Sequence, residues 1–497
     1  MKKLLILCSI IIISGIWHSA YAQFIPRQLT LQDAIEIAMD QSPDALNSKQ
    51  NFRASFWEYK SFKASYLPAL GFDATIPEFQ RSITQQTDIN TGQKVFVPQQ
   101  YLSSDANLSI SQRIGFSGGQ VFLRSGLEAV YNITDSNITS SFLSTPVNVG
   151  LIQPIFQYNP YKWNRKIEPV KYTQAKQKYL EDVEQISITT TNHFFSLLNA
   201  QIEMKIAHTN LSNYDTLYTI ALGRYQLGKI AENDLLLLEL NFLKAQSSVE
   251  NAELALDNAL FQFKSYLRIK DSIPINMIPP SNIIFFTVDP DEAVELSEAN
   301  SSTFLNFQKR LLEASRDVNM AKLQGRFDAE LSAVVGLTKN ANTLGGAYQN
   351  PHDQQQVALG ISIPIYDWGV ARGKIKMAES QEEIVKTNVE QEILDAQRNV
   401  YLKVIQFNMQ KSQVTIAAKS DTVARKNYAV TKGRYLIGKM NSILDLNNAQ
   451  IETDRAEKGY YTALRTFWRS YFELRKLTLF DFRTNRPIQF SFDDIKL

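Results

Sequence analysis

The chain of 497 residues has almost no cysteine: its single one, Cys8, lies within the first 22 residues. Beyond that segment, disulfides, thiol catalysis and cysteine-ligated metal sites are therefore excluded. An excess of either charge is also missing, since 52 Lys and Arg stand against 50 Asp and Glu. A protein that binds nucleic acid through bulk positive charge needs a clear basic excess, so we expect no nucleic-acid partner.

Long apolar runs are missing after the N-terminus, and the mean hydropathy is −0.22. At the N-terminus, Lys2 and Lys3 precede an apolar run over 4–16, and Ala20-Tyr21-Ala22 follows. This pattern predicts a cleaved export signal over residues 1–22. An uncleaved anchor is the less favoured alternative, because the run is shorter than the ~20 residues that span a bilayer. An exported chain without spanning helices is periplasmic, secreted or an outer-membrane β-barrel.

No catalytic pattern occurs in the sequence. After the predicted signal, the histidines are His193, His208 and His352, and the first two, 15 positions apart, do not share a helical face at i, i+4 spacing. No glycine-rich loop opens a helix after a strand, and no G-x-S-x-G is present. We therefore expect no enzyme activity, no catalytic residues, no bound metal and no cofactor.

The chain repeats itself. Residues 223–229 (GRYQLGK) recur at 433–439 (GRYLIGK), and 153–156 (QPIF) correspond to 363–366 (IPIY) at the same offset of 210. Upstream, 33–38 resembles 292–297 at an offset of 259. The first copy therefore carries about 49 extra residues, which we place between Gly71 and Gly150. Three matches in the same order indicate a duplicated unit.

Long helices are predicted in both copies, because residues 170–222, 229–273 and 374–432 contain neither glycine nor proline. Apolar and small residues at 3,4 spacing form a heptad seam from Leu235 to Tyr266, and a second seam from Leu446 to Leu477. Helices of this length need partners, and a soluble antiparallel coiled coil is the alternative interpretation.

Strands are predicted between the helices. Residues 101–164 hold six Asp, Glu, Lys and Arg, and short runs such as 107–111 and 120–124 alternate apolar with polar. Alternation with aromatic residues at the ends is typical of membrane strands. Residues 327–337 and 357–365 have the same character in the second copy; a periplasmic β-domain is the alternative.

The ordered set of these motifs resembles the TolC family of outer-membrane efflux and secretion proteins. It is carried by 66–68 (YLP), 153–156 (QPIF), 363–369 (IPIYDWG) and the two Gly-Arg-Tyr turns. The resemblance implies a mainly α fold with β structure, built from a duplicated strand–strand–long-helix unit. Three chains would form a 12-stranded outer-membrane β-barrel, four strands per chain, continuous with a periplasmic α-helical barrel.

The expected organisation follows from this resemblance. The segments are the signal, 1–22; a first repeat, 23–271, with strands within about 66–156 and helices 166–222 and 231–270; an equatorial connector, 272–288; a second repeat, 289–478, with strands about 326–338 and 356–366 and helices 370–432 and 443–478; and an equatorial tail, 479–497.

The resemblance also implies partners. These are two further copies of the chain in a homotrimer, outer-membrane lipid, a periplasmic adaptor (membrane fusion) protein and an inner-membrane transporter. The protein would be the passive exit duct of a tripartite efflux pump or type I secretion system, in the outer membrane and extending into the periplasm. A soluble periplasmic coiled-coil adaptor is the competing function, although an adaptor normally carries one helical hairpin rather than two copies.

Candidate site residues are carried over from the family by position. Asp234, Tyr435, Asp445 and Asn448 correspond to a periplasmic gate. N-capping of the following helix is the alternative role for Asp234 and Asp445.

A docking site for the adaptor is expected at the two helical tips. It comprises Leu227 and Gly228 in the first copy, and Ile437 and Gly438 in the second. Each glycine has an alternative role, which is to end a helix in the left-handed conformation.

Overall fold

The computed structural model describes residues 27–89, 91–134, 137–271, 273–281, 283–439 and 442–492. The predicted signal, residues 1–22, lies outside the described residues. So do residues 272 and 282 of the predicted connector and the last five residues of the predicted tail.

Four of the helices are long, because their sequences run for tens of residues with few breakers. Two of them, α3 and α7, end at turns that contain glycine. In chain order the helices are α1 (Leu31–Gln41), α2 (Pro43–Ala64), α3 (Pro160–Gln226), α4 (Glu232–Tyr266), α5 (Pro290–Asn300), α6 (Ser302–Gln324), α7 (Val370–Leu436) and α8 (Ile443–Thr478).

The strands form one large sheet and two small pairs. They are β1 (Arg27–Leu29), β2 (Ala69–Thr87), β3 (Lys94–Arg113), β4 (Gln120–Thr134), β5 (Asn137–Ile155), β6 (Ile275–Met277), β7 (Asp328–Ala341), β8 (His352–Ser362), β9 (Phe480–Asp481) and β10 (Arg486–Pro487). The large sheet has the order β2-β3-β4-β5-β7-β8, and every neighbouring pair is antiparallel.

The expectation of four strands per chain was wrong, because the sheet has six. The second copy has two strands between α6 and α7, whereas the first has four between α2 and α3. The excess that the repeat offsets place in the first copy is therefore an additional pair of strands with its turns. The rest of the fold class, mainly α with a duplicated strand and long-helix unit, is confirmed.

The described chain divides into two compact units. The helical unit comprises residues 27–49, 179–298 and 399–492, and the sheet unit comprises 50–178 and 299–398.

The helical unit contains two hydrophobic clusters. The larger one surrounds Phe194 and Phe195 of α3, Phe407 of α7 and Leu464 of α8, and includes Leu29 of the short strand β1. β1 pairs in parallel with β6, which ties the start of the described chain to the connector. The smaller cluster lies near the turn that follows α7 and includes Tyr435.

The predicted heptad seams are buried at many of their positions. In α4 the small residues Ala245 and Ala252 are 5% and 3% exposed, and in α8 Ala449 is 5% exposed. Small side chains in a seam allow neighbouring helices to approach closely.

In the sheet unit, α2 and α3 are joined by a stack of the Tyr59 and Tyr172 rings, with centroids 4.5 Å apart. α6 and α7 are joined by the Arg310–Glu392 ion pair and a hydrogen bond from Ser315 to Glu382. These contacts place the strands at the ends of paired helices.

Candidate functional site

The turns after α3 and α7 have the same geometry. Gly228 and Gly438 have φ of 66° and 72°, in the left-handed region that favours glycine. The amides of Lys229 and Lys439 donate to the carbonyls five residues before them, at 2.9 and 3.0 Å. This is the Schellman motif, so each glycine ends its helix. Adaptor docking at these glycines stays a prediction.

The side chains beside these glycines are exposed. Leu227 is 71% and Ile437 is 66% exposed, and a Cβ at Gly228 or Gly438 would meet no atom within 4 Å. Each turn therefore presents one uncovered apolar side chain next to open space.

Tyr435 is 1% exposed and lies in the smaller cluster with Leu217, Leu238 and Leu446. The guanidinium carbon of Arg224 lies 5.1 Å from the centre of its ring. Its hydroxyl oxygen is buried without a hydrogen-bond partner among the described residues. Burial raises the pKa of Tyr435, Arg224 opposes that rise, and the charge of Asp234 adds to it.

Arg224 also binds the end of α7. Its Nη2 donates to the carbonyl oxygens of Tyr435 at 3.3 Å and Leu436 at 3.1 Å. A cation suits this position, because the last carbonyls of a helix lack intrahelical partners and carry partial negative charge. The turn of the first copy is thereby joined to the turn of the second.

Asp234 and Asp445 lie at corresponding positions in the first turns of α4 and α8. Neither is the N-cap: that position is Ala231 in α4 and Ser442 in α8, and the Ser442 hydroxyl accepts from the Asp445 amide at 3.2 Å. The N-capping interpretation was therefore wrong, although a carboxylate in the first turn still stabilises a helix.

Asp445 and Asn448 are exposed and lie three residues apart, on the same side of α8. Asp234 is half-buried, near enough to Tyr435 for its charge to act on the phenol. The charge of Asp234 thus acts on Tyr435, whereas Asp445 and Asn448 form a separate exposed pair.

Polar contacts between α3 and α8 were missed from the sequence. Tyr214 Oη donates to Asn447 Oδ1 at 2.7 Å, and Asn210 Nδ2 donates to Asp454 Oδ2 at 2.6 Å. Burial raises the pKa of Asp454 despite that hydrogen bond. These partners lie more than 230 residues apart in sequence, so neither helical period nor local spacing could pair them.

One face of the six-stranded sheet is apolar. Side chains alternate between faces, and the strand register places the following residues on the same side. They are Leu70 and Phe72 of β2, Leu108 and Ile110 of β3, Leu123 and Leu127 of β4, Val149 and Leu151 of β5, Leu331 and Val335 of β7, and Val357, Leu359 and Ile361 of β8.

Charged residues on the apolar face lie towards the ends of the strands that are distant from the helices. They are Arg81, Lys94, Lys339 and Asp353. The opposite face carries Asp73, Glu78, Asp105, Arg124, Glu128 and Glu330 with many Ser, Thr, Asn and Gln, and fewer apolar residues such as Phe122, Ile152 and Val334. The sheet is therefore mainly apolar on one side and mainly polar on the other.

Aromatic side chains lie at the end of the sheet where the helices begin. Phe156 contacts Phe327 with ring centroids 5.0 Å apart, and Tyr366 contacts Trp368 at 4.6 Å. Trp368 is 86% exposed. Aromatic rings at the border of an apolar band are typical of membrane strands at the lipid–water interface.

α7 carries an uncovered apolar row in the helical unit. Its members are seven residues apart and 49–66% exposed, and the last one directly follows the helix: Leu402, Met409, Ile416, Val423, Val430 and Ile437. A row with this spacing is the contact surface of a helix that packs against another helix.

Among the described residues, no helix is long and apolar enough to cross a membrane. Within the same ranges, His, Asp and Glu form no group of three or more that could hold a metal ion.

Comparison with known proteins agrees with this geometry. Residues 294–478 match the family model described as outer membrane efflux protein. Over 197 residues the chain is 25% identical to the toxin and drug export protein A of Aggregatibacter actinomycetemcomitans, a match that covers 38% of each protein. An uncharacterised Haemophilus influenzae protein is 26% identical over 174 residues, 35% of this chain and 37% of that protein. The matched part is thus little more than a third of either relative.

Solved structures match nearly the whole chain. The CmeC outer membrane channel of Campylobacter jejuni has a TM-score of 0.64 at 15% identity, covering 93% of this chain and 88% of that one. VceC of Vibrio cholerae has a TM-score of 0.61 at 12% identity, covering 92% and 97%. MtrE of Neisseria gonorrhoeae, in its open state, has a TM-score of 0.60 at 15% identity, covering 93% and 91%. At these identities the likeness shows the fold.

Proposed function

Because this chain has the fold of TolC-like outer-membrane efflux proteins and carries their family match over residues 294–478, we propose that it is an outer-membrane exit duct. It acts passively in a tripartite efflux pump or type I secretion system, and its helices extend into the periplasm. The resemblance found in the sequence is confirmed by these matches. The duct activity and its partners are the proposal.

The two-faced sheet carries this proposal. An apolar face continuous over six strands suits lipid, and a polar face suits a water-filled interior. In lipid, each unpaired backbone group at a sheet edge costs several kcal/mol, so one chain's sheet must be completed by other copies. The homotrimer supplies those copies. The soluble adaptor is disfavoured, since it has no use for such an apolar face.

The exposed row on α7 supports the same assembly. Apolar side chains at heptad spacing from Leu402 to Ile437 are uncovered in a single chain. In a homotrimer this row is covered by a helix of the next copy, which removes the apolar area from water.

The gate lies at the ends of the two helical hairpins. Arg224 and Tyr435 hold the second turn against the first, Asp234 acts on Tyr435 through its charge, and Asp445 and Asn448 face the bore from each copy. A ring of carboxylates attracts cations. Leu227 with Gly228 and Ile437 with Gly438 form the surface on which a periplasmic adaptor docks, and an inner-membrane transporter supplies energy.

The test is extraction and insertion. The full chain is expected in the outer-membrane fraction, to require detergent, to migrate as a heat-modifiable trimer, and to form ion-conducting channels in planar bilayers. A monomer released from the periplasm without detergent would refute the duct.

A further inference from the structure

The sheet contains two strands that the second copy lacks. β2 follows α2 as β7 follows α6, and β5 precedes α3 as β8 precedes α7. By position, β3 and β4 are therefore the additional pair.

These additional strands are internal to the sheet. β3 pairs with β2 on one side and with β4 on the other, where the register runs over 13 positions from Tyr101 to Arg113. Their apolar residues, such as Ile110 opposite Leu123, continue the apolar face between β2 and β5. About 9–11 residues suffice for a tilted strand to cross the hydrocarbon. Each is therefore long enough to be a full wall strand.

The edges of the sheet are β2 and β8, and each pairs on one side in the single chain. β2 leads away from α2, and β8 leads back towards α7, so β2 of one copy would lie antiparallel to β8 of another. Antiparallel neighbours are what the rest of the sheet already contains.

The register within the chain sets the strand tilt that a given pairing of these edges would produce. Partner by partner across the sheet, Ala69 is level with Gln356, six residues before Ser362, the last residue of β8. The intermediate partners are Ser111, Phe122, Gly150 and Val334. If Ala69 pairs with Ser362 of the next copy, six residues of offset accumulate over six strand spacings. At ~3.3 Å per residue and ~4.8 Å per strand the tilt is about 35°, at the lower limit of the roughly 35–45° of closed barrels.

The same pairing matches the faces. It joins exposed apolar residues of β2 to exposed apolar residues of β8, whereas a slip of one residue would put them on opposite faces. The pairs across the two copies are Leu70 with Ile361, Phe72 with Leu359, and Ala74 with Val357, and all but Ala74 belong to the large hydrophobic side chains that are exposed in the single chain.

From these observations we propose that β2 pairs with β8 of a second copy in this register, so that the homotrimer closes an eighteen-stranded barrel. The inference rests on the proposed duct function. Barrel diameter grows roughly linearly with strand number, so the outer-membrane opening is about 1.5 times as wide as that of a barrel with four strands per chain. Barrels of 16–18 strands enclose an aqueous channel. The outer part of the duct thus takes cargo broader than a twelve-stranded exit would.

Paired cysteines test the interface in a Cys8→Ser background. Gly71 and Gly360 would face each other on the polar side. Their Cβ atoms would meet nothing closer than 3.5 and 3.9 Å in the single chain. The Gly71→Cys, Gly360→Cys double variant is expected to give disulfide-linked dimers and trimers on non-reducing gels, and either single variant neither.

The matched control is Arg124→Cys with Gly360→Cys, which reports β4 against β8. A cross-link in this control, without one in the first pair, would mean that β2 and β3 lie outside the barrel. It would overturn the eighteen-stranded closure while leaving the trimeric duct intact. A detergent-free monomer with no cross-link would overturn both proposals. Failure of both pairs in an intact trimer would overturn the register and closure proposed here.

A second measurement does not depend on cysteines. A variant lacking residues 94–134 loses β3 and β4. The residues that follow β2 then lead directly into β5, so β2, β5, β7 and β8 remain as four strands per chain. In end-on images of trimers in lipid nanodiscs, the full-length barrel is expected to be about 1.5 times as wide as the deletion barrel. Equal widths would contradict the proposal.

Discussion

The guanidinium of Arg224 lies 5.1 Å from the centre of the Tyr435 ring and donates to the carbonyl of Tyr435 at 3.3 Å. The two residues are 211 positions apart and belong to the duplicated turns of different copies. The corresponding tyrosine of the first turn, Tyr225, is 40% exposed, whereas Tyr435 is 1% exposed. The duplicated sequence therefore has different roles at its two locations.

Arg224→Gln is expected to loosen the second turn. The change removes a cation–π contact and the charge-assisted bonds to the end of α7, which together contribute about 1–3 kcal/mol. We expect higher single-channel conductance in planar bilayers and more frequent openings. Arg434→Gln, in the exposed turn position of the second copy, is the control. Equal effects of the two changes would contradict a specific role for Arg224.

Asp234→Ala combined with Tyr435→Phe is expected to raise single-channel conductance as well. The double variant removes the carboxylate and the phenol hydroxyl at the proposed gate, while the phenyl ring keeps the cluster around Leu238 packed. Conductance equal to that of the unmodified channel would refute the assignment of Asp234 and Tyr435.

Asp445→Asn is expected to reduce cation selectivity. The carboxylate is exposed at the start of α8, and three copies would place three of them around the bore. The shift is measured as the reversal potential under a KCl gradient, and block by trivalent cations should weaken with it. Asp291→Asn, in the first turn of α5, is a control with the same charge change. A comparable shift in that variant would argue against a ring at Asp445.

Gly228→Asn separates the two roles of the turn glycine. Asparagine tolerates the left-handed conformation better than other residues, so the helix end should be retained, whereas Gly228→Val should destabilise it by about 1–2 kcal/mol. If the open space beside Leu227 receives an adaptor, Gly228→Asn should lose adaptor co-purification at an unchanged melting temperature. Retained co-purification would leave the glycine with its helix-ending role alone.

Glu184 gives the helical unit a pH dependence. It is 1% exposed, and Arg475 Nη2 lies 2.7 Å from its Oε1. Burial raises the pKa of Glu184 to about 7, although Arg475 opposes the rise. The folded state then holds a proton that the unfolded state has released. Its stabilising contribution is therefore complete below about pH 4.5 and is lost as the pH rises through 7.

We expect Glu184→Gln to remove this pH dependence of the free energy of unfolding. Between pH 5 and 8 the free energy of unfolding of the unmodified protein should fall by up to about 3 kcal/mol relative to that of the variant. Thermal unfolding of detergent-solubilised trimers measures the difference. Glu203→Gln, in an exposed ion pair with Lys458, is the control. Parallel pH profiles of the unmodified protein and Glu184→Gln would exclude this carboxyl as the source.

The sequence predicted the helices better than the strands, for a physical reason. The periodicity of a long helix is present in consecutive residues. Segments without glycine or proline and with heptad spacing therefore identify it without knowledge of its tertiary contacts. In β2 the alternation is interrupted: the register shifts between Thr75 and Glu78 around Pro77, which moves the later apolar residues out of phase. The repeat offsets therefore located the extra residues in the first copy, but the sequence pattern did not give the number of strands that they form.

The candidate site was predictable to a similar degree. Glycines that end helices are visible in the repeated turns, and their left-handed φ values follow from local geometry. Arg224 was missed because its partner comes from the other copy. The repeated Gly-Arg-Tyr motif includes both residues of this contact. The motif alone does not show that the arginine of one turn contacts the tyrosine of the other.

The crossed contact between the turns has a mechanical consequence. The first hairpin supplies the cation, Arg224, and the second supplies the aromatic ring, Tyr435. Outward movement of either hairpin alone would therefore break this contact. A force applied to either hairpin is transmitted to the other through the Arg224–Tyr435 contact. A three-chain duct would thus contain three coupled pairs of hairpins rather than six hairpins that move independently.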